Sequence, residues 1–138
     1  MSWVVYALVS AAAAALTAIL AKLGVEGVPS TLATAIRTAV VVVFAWTMVV
    51  ALAQHDAITS VSRRSLLFLV LSGVATGVSW LAYFRALQLA PASSVAPIDK
   101  LSLPLTIVLA ALLLGESVSW RAAAGVALMT IGALLTRF

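Results

Sequence analysis

Long apolar runs separated by short polar punctuation dominate the chain. A membrane-spanning helix needs roughly 20 mostly apolar residues, and five stretches are of about that size. The first covers residues 3–23, with Ser2 placed as its N-cap and Gly24 as its stop. A turn over 24–29 leads into a second span at 30–53, with Ser30 placed to cap it. The segment from Gln54 to Arg63 is the longest polar connection. The third span, 64–89, is long enough to tilt, and Ala90-Pro91-Ala92-Ser93 breaks it. A fourth at 94–114 is closed by Gly115-Glu116-Ser117, and the last, 119–137, ends at Arg137. The pattern predicts an all-α, polytopic membrane protein: one domain over residues 1–138, five transmembrane helices, and no room for an aqueous domain. The alanines at 11–15 invite a signal-peptide reading of the first span, but no basic segment precedes it and four more spans follow.

Composition strengthens this picture. Hydrophobic residues make up 64% of the 138 positions and charged residues 9%, against roughly 45–50% and about 25% in a soluble domain. A soluble enzyme, a disordered tail or a nucleic-acid binder is therefore excluded. The net charge of +4 comes from eight Lys and Arg spread along the chain, with Arg63–Arg64 the only adjacent pair. That charge reads as membrane topology plus a few intramembrane groups, not as a surface for nucleic acid. With no cysteine and one histidine, His55, neither a disulfide nor a metal site is expected. No catalytic triad, phosphate loop or paired carboxylates occur, so neither enzyme activity nor a cofactor is expected.

Orientation is nearly balanced. Arg63, Arg64 and Arg121 lie at the face that holds the N-terminus, and Lys22 and Arg137 edge the opposite face. Arg37, Arg85 and Lys100 lie toward that opposite face but inside spans, so the sign of the positive-inside bias depends on whether they count. Such a chain either inserts both ways, which lets two copies pair antiparallel as in inverted-repeat transporters, or takes one orientation set by other features.

Four charged residues within the spans invite a functional reading, because an isolated one at the bilayer centre costs about 2.5–3.5 kcal/mol on insertion scales. Arg37 is seven residues past Ser30, roughly 10 Å into its helix, with Thr34 and Thr38 on nearby faces. It is the strongest candidate for a polar pathway. Arg85, Asp99 and Lys100 lie nearer the interface, where snorkelling of the cations and a local Asp99 pairing compete with a binding role. Pro97 is placed near the start of the fourth span, where its missing N–H costs little. Pro104 is placed in its interior, where it would free the Lys100 carbonyl. Asp99, Ser102 and Thr106 then form a polar stripe at i, i+3 and i+7 beside a kink. In the third span, Gly73 and Gly77 have small-xxx-small spacing suited to close helix packing or dimerisation; Gly125 and Gly132 suggest a second such stripe. Trp80 and Phe84 share a face with Tyr83 beside it, to line a cavity or to anchor and pack.

Several of these segments, taken in order, resemble one family. Tyr83-Phe84-Arg85-Ala86-Leu87, Pro91-Ala92-Ser93, Ala96-Pro97-Ile98-Asp99-Lys100-Leu101-Ser102 and Leu114-Gly115-Glu116, with Ser119, Gly125 and Gly132 after them, resemble the EamA family of the drug/metabolite transporter superfamily. The resemblance implies a secondary transporter and a chain equivalent to one five-helix half of a ten-helix inverted-repeat carrier. It further implies a homodimer replacing the two halves, and a structural Glu116 at a helix–helix turn. The related small multidrug exporters use an acidic residue in the first helix; the first span here has none, which disfavours proton-coupled export of lipophilic cations. Arg37, Arg85 and Lys100 against Asp99 leave the spans positive, favouring an anionic or carboxylate-bearing solute.

The expectation is thus alternating-access transport of a small metabolite across the cytoplasmic membrane of a prokaryote. Its substrate-binding residues would be Arg37, Trp80, Tyr83, Phe84, Arg85, Asp99, Lys100 and Ser102, and its partners a small-molecule substrate, the lipid bilayer and a second copy. The rival expectations are an accessory subunit that needs a hetero-partner, and a flippase whose basic groups cradle lipid phosphate.

Overall fold

The computed structural model describes residues 2–136. Its elements are helices α1 (Trp3–Gly24), α2 (Ser30–Ala51), α3 (Arg63–Leu89), α4 (Ala92–Asp99), α5 (Ser102–Leu114) and α6 (Trp120–Leu135), with a 3-10 turn at His55–Ser60 between α2 and α3. No strand occurs among the described residues. Trp3–Gly24, Ser30–Ala51, Arg63–Leu89 and Ala92–Leu114 are long and apolar enough to cross a membrane; α6 is a shorter apolar helix of 16 residues, about 24 Å at 1.5 Å per residue. The chain is all-helical and multi-pass, as expected. Arg137, taken as the end of the last span, lies outside the described residues.

Local propensity alone does not explain these helices. The alanine-rich α1 is a strong helix former, whereas α2 carries four consecutive β-branched valines, Val40–Val43, which disfavour a helix in water. Lipid reverses that preference, because hydrocarbon offers no partner for a free N–H or C=O and only internal hydrogen bonding satisfies them. Large apolar side chains accordingly stand exposed around these helices, among them Val40, Val43, Phe44, Leu69 and Leu112.

The chain divides into two compact units, Ala21–Gln88 on one side and Met1–Leu20 with Leu89–Phe138 on the other. In the first, burial concentrates on Val25, Ala33, Thr34, Phe84 and Leu87, the last being fully enclosed. In the second, α4 and α5 both contact α6, and Val95 and Ala133 are buried. Gly115 ends α5 in the left-handed conformation, at φ 68°, and the Glu116 N–H donates to the Ala110 carbonyl at 3.3 Å; this is the glycine C-cap expected after an apolar helix. Ser119 starts α6 by accepting a side-chain hydrogen bond from the Ala122 N–H at 3.2 Å.

Three local expectations are corrected. Ser30 does not cap α2: Pro29 holds the N-cap position, and Ser30 is the first helical residue. The two prolines of the fourth span exchange roles. The helix begins two residues earlier than expected, at Ala92, so Pro97 is interior to α4. Pro104 falls in the first turn of α5, where its missing N–H interrupts nothing. The break therefore lies at Lys100–Leu101, and the Lys100 carbonyl is not free, because the Leu103 N–H donates to it at 3.0 Å. This break also interrupts the helical repeat that was to align Asp99 with Ser102 and Thr106. Finally, no heavy atom among the described residues lies within 4 Å of where a Cβ would stand at Gly73, Gly77, Gly125 or Gly132. Among the described residues of its own unit, none of these glycines mediates a close helix approach.

Candidate functional site

Arithmetic on helix lengths explains how the site forms. α2 starts at the membrane face where α3 ends, so residues equally far from that face can meet. Arg37 is seven residues past Ser30, while Phe84 and Trp80 are five and nine residues before Leu89. The Arg37 guanidinium carbon lies 3.9 Å from the Trp80 ring centroid and 5.7 Å from that of Phe84. The i, i+4 spacing of the two rings puts both within reach of one cation, as the shared face predicted. Tyr83 interacts electrostatically with the same guanidinium.

Arg37 is partly buried, and among the described residues no carboxylate pairs with it. Its charge is balanced by aromatic faces rather than by an anion. Thr34 and Thr38 supply no donors here: their hydroxyls donate to the Ser30 and Thr34 carbonyls, each at 2.8 Å, one turn back in α2. Arg85 points elsewhere. It is exposed, and its Nη1 donates to Gln88 Oε1 at 3.1 Å.

The same unit contains an anchor that the sequence reading missed. Lys22 Nζ donates to the Leu87 carbonyl at 2.6 Å, and Gln88 Nε2 donates to the Val28 carbonyl at 2.6 Å. Leu87 lies in the last turn of α3, whose carbonyls lack intrahelical donors, so an ammonium there satisfies a vacant acceptor and the negative end of the helix dipole. One signal was available: Pro91 follows closely after α3, so its final carbonyls needed donors from another segment.

Asp99, Lys100 and Ser102 belong to the second unit. Lys100 Nζ pairs with Asp99 Oδ2 at 3.2 Å, with the two side chains 54% and 36% exposed. Such an exposed pair contributes about 0–1 kcal/mol, but it neutralises both charges. Ser102 is exposed, and its carbonyl accepts the Thr106 hydroxyl at 2.8 Å. Among the described residues neither Arg37 nor Arg85 pairs with a carboxylate, and of the two only Arg37 is partly buried against aromatic rings.

Short-looped apolar helices long enough to cross a bilayer define a multi-pass membrane protein. The model of the EamA-like transporter family matches residues 1–138, and the chain belongs to that family. It is 48% identical over 134 residues to an uncharacterized transporter in the cobO 3' region of a Sinorhizobium species, covering 97% of this chain and 95% of that one. No solved structure matches. The protein is a membrane transporter.

Proposed function

We propose that this transporter moves a small anionic or amino-acid-like metabolite across the cytoplasmic membrane by alternating access, as a homodimer of two oppositely inserted copies. The observation that carries the reading is Arg37, a cation inside a span with aromatic faces beneath it and no protein carboxylate upon it. Keeping such a charge in a membrane is costly, and a transported anion is what would use it. The bacterial relative of nearly equal length supports a carrier built from chains of this size. The near-even distribution of Lys and Arg supports insertion both ways, and the unoccupied glycine faces of α3 and α6 leave room for a second copy to approach.

Two measurements test this. Reconstituted alone in liposomes, the purified protein is expected to exchange radiolabelled carboxylates and not organic cations, with Arg37→Ala inactive; dependence on a second polypeptide would instead favour an accessory subunit. Single cysteines near each terminus are expected to react with impermeant reagent from both sides of the membrane. Strictly one-sided labelling removes the antiparallel dimer.

A further inference from the structure

Resting on the anionic-solute reading, we infer that the stacked Arg37–Trp80 pair is a preformed carboxylate subsite, selective for a solute carrying one negative charge, with Trp80 as its positioning residue. The guanidinium carbon sits over the indole ring, 3.9 Å from its centroid. The N–H donors project from the rim of that plane, and among the described residues none is taken by a protein acceptor. A guanidinium held against a ring presents two parallel N–H groups to a planar carboxylate with less rotational freedom left to lose. The arginine thereby gains by stacking what it would otherwise surrender on binding.

Charge decides between a monoanion and a dianion. Arg37 supplies one positive charge. The neighbouring cations of the same unit are directed away, Arg85 to Gln88 and Lys22 to the Leu87 carbonyl. A monoanion on Arg37 makes a neutral pair, whereas dianionic phosphate would leave a net negative charge among apolar side chains, which a low-dielectric site strongly opposes. The Thr34 and Thr38 hydroxyls donate to their own helix and are not directed at the fork. The subsite suits a singly charged anion whose two oxygens match the guanidinium fork, as a monocarboxylate does.

The test uses intrinsic fluorescence. Trp3, Trp46 and Trp120 are strongly exposed, so replacing them with Phe leaves Trp80 as the sole indole reporter. In phospholipid-free detergent, sodium propionate is expected to change Trp80 emission saturably, while propionamide, its neutral counterpart, does not. Arg37→Ala should abolish the response. Arg37→Lys should weaken it about tenfold, the loss of one of two charge-assisted hydrogen bonds. By calorimetry, Trp80→Phe should retain most of the propionate affinity and Trp80→Leu should lose most of it, with helical circular dichroism unchanged in both. Equal binding of propionamide, or tighter binding of inorganic phosphate or phosphatidylglycerol than propionate, would overturn the subsite. So would silence toward propionate in a protein that still exchanges carboxylates in liposomes, although the transporter reading would stand. Propionate binding without any transport would sink that reading and leave the subsite intact.

Discussion

Replacing Arg37 with leucine separates a functional cation from a structural one. On insertion scales an arginine at the bilayer centre costs about 2.5–3.5 kcal/mol. Arg37 lies roughly 10 Å along α2 at 1.5 Å per residue, short of the middle of a hydrocarbon core about 30 Å thick, so about 2 kcal/mol applies. Against this stands the contact with Trp80 at 3.9 Å and Phe84 at 5.7 Å, worth about 1–2 kcal/mol for a partly desolvated cation. The two terms nearly cancel, and leucine retains an apolar contact with the rings. Arg37→Leu is therefore expected to leave stability unchanged or to raise it by up to about 1 kcal/mol, while abolishing carboxylate exchange. Reversible unfolding in mixed micelles measures the first quantity and liposome uptake the second. A loss of more than about 2 kcal/mol would show that Arg37 braces the helices, and an active, stable leucine variant would show that its charge is not used in transport.

Other substitutions test the local structure. Pro97→Ala should stabilise the protein by about 1 kcal/mol or more, because Pro97 is interior to α4, whereas Pro104→Ala in the first turn of α5 should change little; thermal unfolding in detergent compares them. Gly115→Ala should cost about 1 kcal/mol from the left-handed backbone alone, since a Cβ there meets no atom within 4 Å, and the corresponding fall in melting temperature checks it. Lys22→Met removes a charge-assisted bond to the Leu87 carbonyl and should cost about 1.5–3 kcal/mol. Hydrogen exchange should then accelerate at the end of α3 before it does elsewhere.

How much of the site could be read beforehand depended on whether helix register was enough. Arg37, Trp80 and Phe84 were legible because both helices run uninterrupted between them and the membrane face, so counting residues measures depth. The alignment of Asp99 with Ser102 and Thr106 was not, because the counting assumed one helix from 94 to 114. The early start at Ala92 moved Pro97 into a helix interior, and the tightened backbone at Lys100–Leu101 began a new helix with Pro104 in its first turn. The earlier start at Ala92 and the break at Lys100–Leu101 together reversed which proline interrupts hydrogen bonding.

Composition and apolar run length by themselves determined the solvent and the helical class, since lipid leaves the backbone no other way to satisfy its hydrogen bonds. They also singled out Arg37, because a charge among so many apolar neighbours is conspicuous in one dimension. What each charge faces was decided only in three dimensions: Arg37 on Trp80, Arg85 on Gln88, Lys22 on the Leu87 carbonyl and Lys100 on Asp99. Long flexible side chains reach several alternative partners from the same position in sequence, and the chain's path through space selects among them.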